Sequence, residues 1–368
     1  LSYGAKSGDI VLEKVSVGNY NPPMFKPRGY KAALKIGSLP EVITPHVLKL
    51  ISDTGGENGP IGRQFVACPA EENDFDLCDC DPLLEEENEV LPGVIYKYRG
   101  CAGAGGGKKF GRILWTVTNL CASYCRFCTR GRSTGRAAGS GSKRHFAPTS
   151  RSLCLSDENI KKVFKFLREH REINEVILSG GDPLTLPKDR FSKIVSGLVD
   201  LQKKGFIDIV RIGTRLPVVS PLSVREWHYS FLKRLKNPYL MLHINHPAEL
   251  SAEALRVLEN FRRKSFALEY SQSVLLKGVN DSVEILCELF NKLAANGVRP
   301  YYLLQNDPMP WARRFTVPLK KAVKIWQEVK SCGSGLSGVA ATCRFVVDTP
   351  KNGKIPVPDD VEWEEKVW

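Results

Sequence analysis

Three cysteines, Cys121, Cys125 and Cys128, stand at spacing C-x3-C-x2-C, directly after the apolar run from Arg112 to Thr118. Three thiolates packed so closely can hold three irons of a four-iron, four-sulfur cube. The fourth iron then stays open to a small molecule that brings its own amine and carboxylate. A zinc site would want a fourth protein ligand nearby, usually a second Cys pair or a His at finger spacing, and none follows Cys128 within range. Purely structural cysteines fit less well, because Arg126, Thr129, Arg130 and Arg132 make the surroundings polar and cationic, which favours thiolates.

Other residues could join this chemistry. Ser179-Gly180-Gly181-Asp182-Pro183 ends an apolar run with two glycines, which let a backbone approach a ligand closely while Asp182 caps or accepts a hydrogen bond. Taken alone it is an ordinary turn between strand and helix. His243, in Leu-His-Ile-Asn-His-Pro, and Gln272, in Ser-Gln-Ser-Val-Leu-Leu, are of residue types that more often serve packing when isolated. Lys354 lies in Asp348-Thr349-Pro350-Lys351-Asn352-Gly353-Lys354-Ile355-Pro356, and a Gly-Lys-x-Pro turn can present a deprotonated amine to a carbonyl. Lys351 competes with it, and either could be a surface lysine in a Pro-rich tail. Asp307, before Pro308, could be a helix cap.

The elements that must position these groups begin at Arg112, where apolar runs start to alternate with amphipathic segments, the pattern of βα units around a parallel sheet. Six strands are predicted: Ile113 to Thr118, Val176 to Ser179, Ile207 to Ile212, Leu240 to Ile244, Ser265 to Tyr270 and Arg299 to Leu304. The cysteines, Ser179 to Asp182, His243, Gln272 and Asp307 all follow such strands, the end of a βα barrel that carries catalytic groups. Asp281 with Glu284 forms a predicted capping box, Val283, Leu286, Phe290 and Leu293 give the helical face, and Gly297 ends that helix. Thr44 and Pro45 open a short helix in an N-terminal region, 1–111, that reads as mostly helical and irregular. Residues 112–348 form the sheet domain and 349–368 a C-terminal segment. Gly100 to Gly111 and Gly131 to Ser150 read as flexible, solvated linkers.

Composition narrows the class. The chain has 368 residues, 42% hydrophobic and 25% charged, as a globular protein would. No run approaches eighteen apolar residues, so no membrane span is expected. Eleven cysteines, an odd number, do not read as a disulfide framework, and the triplet needs reduced sulfur. The cytoplasm or another reducing compartment follows, with room for a targeting segment lost before Leu1. The net charge of +13 raises nucleic-acid binding, but much of the excess sits in local stretches such as Gly131 to Arg151 rather than along one helix face. A basic surface with an anion-binding site is the preferred expectation.

The cysteine spacing resembles the signature of the radical S-adenosylmethionine (SAM) enzymes, and the run ending Cys-Arg-Phe-Cys-Thr-Arg is similar, more narrowly, to the lysine 2,3-aminomutase family. The resemblance covers roughly Ile43 to Pro356. It implies an α/β fold, a partial (β/α)6 TIM-like barrel of the radical SAM type with an N-terminal helical extension. It implies a [4Fe-4S] cluster on Cys121, Cys125 and Cys128, with S-adenosyl-L-methionine contacted by Ser179, Gly180, Gly181, Asp182, His243 and Gln272. It also implies pyridoxal 5'-phosphate held covalently by Lys354, with Lys97, Tyr98 and Arg112 on its phosphate. L-lysine would bind through its carboxylate to Arg130 and through its side-chain ammonium to Asp307 and Asp348, and leave as β-lysine. A reductant such as flavodoxin or ferredoxin, and a homo-oligomer, are the implied partners. In longer members a Cys follows the Val-Asn-Asp motif and, with tail cysteines, binds zinc; here Ser282 follows, so no zinc is expected. Alternatives are the branch that makes β-lysine for elongation factor P, a radical enzyme that modifies tRNA, and a non-catalytic paralogue. The tRNA reading would leave Asp307, Asp348 and Lys354 without a role.

Overall fold

The computed structural model describes residues 39–68, 71, 81–99, 110–134 and 156–358. Most of the two glycine-rich linkers, and all of 1–38, lie outside these residues. The frame is one ten-stranded sheet whose strands follow one another in chain order, and it does not close on itself. The strands are β1 (Glu89–Leu91), β2 (Val94–Tyr98), β3 (Gly111–Thr118), β4 (Ile173–Gly180), β5 (Ile209–Thr214), β6 (Tyr239–Leu242), β7 (Leu268–Leu275), β8 (Arg299–Gln305), β9 (Arg344–Thr349) and β10 (Gly353–Pro356). Pairing is parallel from β3 through β9 and antiparallel at both edges. The fold is therefore the expected open, partial barrel, its six central strands β3 to β8 extended by a seventh parallel strand, β9.

Helices cover the outer face. They are α1 (Pro45–Asp53), α2 (Pro60–Phe65), α3 (Asp157–Glu169), α4 (Lys188–Lys203), α5 (Leu216–Val219), α6 (Glu226–Leu232), α7 (Ala252–Ser265), α8 (Val283–Ala295) and α9 (Leu319–Lys330). Strand alternation sets the two faces: in β3, Ile113, Trp115 and Val117 are buried against the helices while Arg112, Leu114 and Thr116 point to the lumen half-exposed. α8 shows why a segment is helical here, with Leu286, Leu289, Phe290 and Leu293 buried on one stripe. It ends at Gly297, whose φ of +76° suits glycine. A second apolar cluster of Leu39, Phe127, Leu276, Val279, Met309, Trp311, Ala312 and Phe315 sits beneath the cysteine loop.

Several expectations need correction. α8 is capped by Ser282, whose hydroxyl accepts from Ile285 N, whereas Asp281 accepts from Gly278 N in the preceding turn. Ser265 is the last residue of α7, not the start of a strand: Phe266 turns the chain at φ +54° and β7 begins at Leu268. β5 begins two residues later than expected, at Ile209, and β6 stops at Leu242, before His243. β1 and β2 lie before the boundary placed at 112, yet β2 pairs with β3. Thr44 does cap α1, accepting from Val47 N at 3.2 Å, with Pro45 at its first position.

Candidate active site

The cysteine loop leaves β3 and crosses the C-terminal ends of the parallel strands. Its seat explains both glycines of the next turn. Gly181 N donates to Thr118 O at 2.6 Å and Asp182 N to Leu120 O at 2.8 Å. A Cβ on Gly180 would lie 2.3 Å from Thr118 O, and one on Gly181 would lie 2.2 Å from Leu120 O. The close approach that the glycines permit is thus by the chain's own cysteine loop. Asp182, buried, accepts from Leu184 N, Thr214 Oγ1, Arg215 N and Leu216 N at 2.7–3.0 Å, so its carboxylate is saturated by the protein and ties the β4 turn to the β5 turn.

The loop arginines behave differently from the sequence expectation. Arg126 is fully buried and spent on Glu71 and on the carbonyls of Leu39 and Pro40. Arg132 pairs with Asp81, Glu85 and Glu86. Arg130 grips Glu85 through Nε at 3.1 Å and Nη2 at 2.6 Å, while its Nη1 reaches Ser179 Oγ at 3.3 Å. None of the three guanidinium groups donates to the cysteine triplet, although the Arg130 backbone is hydrogen-bonded to Cys128. Burial is the largest influence on the thiols: it pushes Cys121 well above its ordinary value, with Asp182, Cys128 and Cys125 adding and Arg215 opposing. It raises Cys128 too, where Cys125 adds and the Thr134 hydroxyl opposes. Cys121 thus feels both other thiols and Cys128 feels Cys125, which fits a shared inorganic centre whose binding would displace protons. Among the described residues no three His, Cys, Asp or Glu side chains are grouped closely enough to hold a single metal ion.

Sequence reasoning missed Arg215, which lies 90 positions from its sulfur partner. It follows β5, the end of a strand where this fold places functional groups, and that was the available signal. Its Nη1 donates to Cys125 Sγ at 2.8 Å, and its Nη2 to Gln64 Oε1 at 2.6 Å and Glu249 Oε2 at 2.8 Å. His243 stands beside it, with Nε2 3.1 Å from Asn245 Nδ2 and its ring edge-to-face with Phe127. Burial, helped by the Arg215 charge, pulls His243 down to about 3, so the imidazole is neutral. Gln272 is half-buried on the lumen face of β7, between buried Ser271 and Ser273.

A second group of residues gathers at the sheet's edges. Register places Tyr98 opposite Arg112 despite the glycine-rich stretch between them, and the guanidinium sits 3.9 Å from the Tyr98 ring centroid. Arg112 Nε is buried without a partner, an orphan donor facing this region. Lys97 Nζ donates to Leu83 O at 3.0 Å and Thr349 O at 2.9 Å, and burial lowers its pKa. On the β9–β10 hairpin Lys354 is directly opposite Asp348, and their side chains form an ion pair. Asp348 Oδ1 is buried with no hydrogen-bond partner. Lys351 is exposed at the tip of the turn. Asp307 Oδ2 accepts from Thr129 Oγ1 at 2.6 Å, which links this acid to the cysteine loop. Burial raises the Asp307 pKa, the charges of Asp348 and Glu85 add to the rise, and Thr129 and Lys354 oppose it. These influences bring Glu85, Asp307, Asp348 and Lys354 into one electrostatic neighbourhood, and Arg130 shares it through Glu85 and Asp307.

A model described as the Radical SAM superfamily matches residues 115–299. The chain is 32% identical over 336 residues to the L-lysine 2,3-aminomutase of Clostridium subterminale, a match spanning 91% of this chain and 73% of that protein. It is 32% identical over 316 residues to the protein of that name in Fusobacterium nucleatum subsp. nucleatum, spanning 86% and 66%, and over 326 residues to that in Methanococcus maripaludis, spanning 88% and 67%. No described helix is long and apolar enough to cross a membrane. With the cysteine loop seated on the strand ends and such matches over most of its length, the chain belongs to the radical SAM superfamily and, within it, to the lysine 2,3-aminomutase family.

Proposed function

We propose that the protein converts L-lysine to β-lysine by 2,3-amino migration, using pyridoxal 5'-phosphate beside the [4Fe-4S] cluster and S-adenosyl-L-methionine that its superfamily implies. The observation that carries this reading is the β9–β10 hairpin: Lys354 and Asp348 face one another across it, with a buried, unpartnered Asp348 oxygen beside the amine. A surface lysine would have no such company. The cluster and S-adenosylmethionine would supply a hydrogen-abstracting radical, and pyridoxal phosphate a carbonyl for an amine and a conjugated ring to spread unpaired electron density.

The chain's own residues do the placing. Cys121, Cys125 and Cys128 would ligate the cluster, and neutral His243 and Gln272 would face S-adenosylmethionine. Arg112, with its free Nε, Lys97 and the Tyr98 hydroxyl would meet the phosphate. Lys354 would bind pyridoxal phosphate covalently, which frees Asp348 from its ion pair. The two acids, Asp307 and Asp348, would then select a cationic side chain and repel an acidic one. Arg130 keeps its Nη1 edge turned to Ser179 while Glu85 holds the opposite edge, so the substrate carboxylate would approach from the Ser179 side. The buried surroundings limit water and strengthen each of these contacts.

Anaerobic purification followed by iron analysis, an absorption spectrum with added pyridoxal phosphate, and chromatography of products from lysine test the proposal together. A brown cluster, a pyridoxal band lost in Lys354→Ala, and formation of β-lysine are the expected results. A cluster without pyridoxal phosphate binding would refute the aminomutase reading and favour a different radical reaction.

A further inference from the structure

The loop arginines are neutralised by Glu71, Asp81, Glu85 and Glu86, whereas the Arg215 guanidinium donates to Cys125 Sγ within the cysteine triplet. We propose that Arg215 sets the reduction potential of the cluster, holding it more positive than the cysteine ligands alone would give. The inference rests on the cluster assignment above and goes beyond it.

Every attachment of Arg215 serves that one contact. Its backbone N is gripped by Asp182 Oδ2 at 2.7 Å, and the following Leu216 N by the same oxygen at 2.8 Å, which fixes the start of α5. The guanidinium lies 4.5 Å from the Phe65 ring centroid and 5.8 Å from that of Phe127, so it cannot swing away without leaving both aromatic faces. Nη2 is anchored on Gln64 and Glu249, and this leaves Nη1 directed at Cys125 Sγ. Glu249 is anchored in turn: its Oε1 accepts from Asn245 N and His246 N at 3.0 Å. Arg215 is only 7% exposed and Glu249 2%, so water screens neither charge effectively.

The electrostatics give the sign. One-electron reduction adds a negative charge to the cluster and its thiolates, with no bond made or broken in the protein and the electron drawn from a low-potential donor. A fixed cation and hydrogen-bond donor on a ligand sulfur stabilises the reduced form more than the oxidised form and moves the potential upward. Glu249 opposes this by partly neutralising the guanidinium. Asp182 is then a positioning residue acting through Arg215, which gives its saturated carboxylate a function beyond bracing a turn.

The test is an anaerobic redox titration of the reconstituted full chain with dithionite and mediators, followed by electron paramagnetic resonance. Lys in place of Arg215 keeps a charge but loses the fork; Gln loses both. Arg215→Lys is expected to titrate at a more negative potential, and Arg215→Gln more negative still, with at least a tenfold lower ratio of reduced to oxidised cluster at fixed potential, about 59 mV for one electron. Glu249→Gln should shift the potential the other way. Wild-type potentials in both Arg215 variants at full iron content would overturn the inference alone. If those variants fail to take up iron, Glu249→Gln decides: an unmoved or more negative potential overturns it. A wild-type chain that binds no cluster would overturn the functional reading and this inference together.

Discussion

Replacing Asp348 by Asn is the sharpest test of substrate choice, because the side chain keeps its shape and loses only its charge and half of its acceptors. In the structure Asp348 Oδ2 is paired with Lys354, and Oδ1 is buried with no partner. An orphan buried carboxylate oxygen is costly, and a substrate ammonium would satisfy it. An amide there offers at most one neutral acceptor, and its NH2 group faces the ammonium if turned the other way. The lost charge-assisted contact is worth about 1.5–3 kcal/mol. At about 1.4 kcal/mol per decade this is roughly a ten- to hundredfold fall in kcat/KM for lysine. The assay is initial-rate formation of β-lysine under anaerobic conditions across a range of lysine concentrations. Iron content and the pyridoxal absorbance band should match the wild type, because Asp348 is not expected to ligate either group. Normal efficiency with lysine would show that the aspartate does not read the substrate, and loss of the pyridoxal band would show that its task is to hold Lys354.

Borohydride reduction with pyridoxal phosphate and peptide mapping should place the adduct on Lys354 rather than on the exposed Lys351; an adduct on Lys351 would relocate the whole second site. Gly181→Ala should cost about 1–3 kcal/mol by overpacking against Leu120 O and lower iron content, read by thermal melting and iron analysis, and an unchanged melt would mean the loop has slack. Because Asp307 keeps its proton to a higher pH in the fold than in the unfolded chain, its ionisation costs stability as pH rises through that window. Lysine turnover efficiency should correspondingly fall on the acid side at a pH above the ordinary aspartate range. Asp307→Asn should remove that acid limb without lowering stability at neutral pH; an identical limb in the variant would assign it to another group.

The parts of this molecule written in local pattern were legible in the sequence. Six parallel strands and the mouth they share follow from apolar runs and the motifs at their ends. β9, Arg-Phe-Val-Val-Asp-Thr, lies outside the six predicted strands, because an apolar run of three residues is too short to show a period. Ser265 was misplaced because the short run after it suits a strand and a helix end equally, and only the left-handed turn at Phe266 decides between them. The harder failure concerned charge. The basic residues of the cysteine loop suggested a cationic bed for the sulfurs, but Glu85 and Glu71, 45 and 55 positions away from Arg130 and Arg126, consume that charge. Pairings at such separation leave no periodic trace, and the same holds for Arg215 and Cys125.

The β9–β10 hairpin has a consequence for how new specificities could arise. Radical generation is assigned to the cysteine loop and the turns after β4, β5 and β6, whereas Asp348 and Lys354 lie on two short strands at the opposite edge of the sheet. β10 hydrogen-bonds within the sheet only to β9, yet the hairpin is tied to β2: Lys97 Nζ donates to Thr349 O at 2.9 Å, and a Cβ on Gly353 would lie 2.5 Å from the Tyr98 ring. Specificity could then change at Asp348 alone, with Lys354 and the contacts to Lys97 and Tyr98 kept, re-addressing the reaction to a different amino acid while leaving the machinery that starts the reaction untouched.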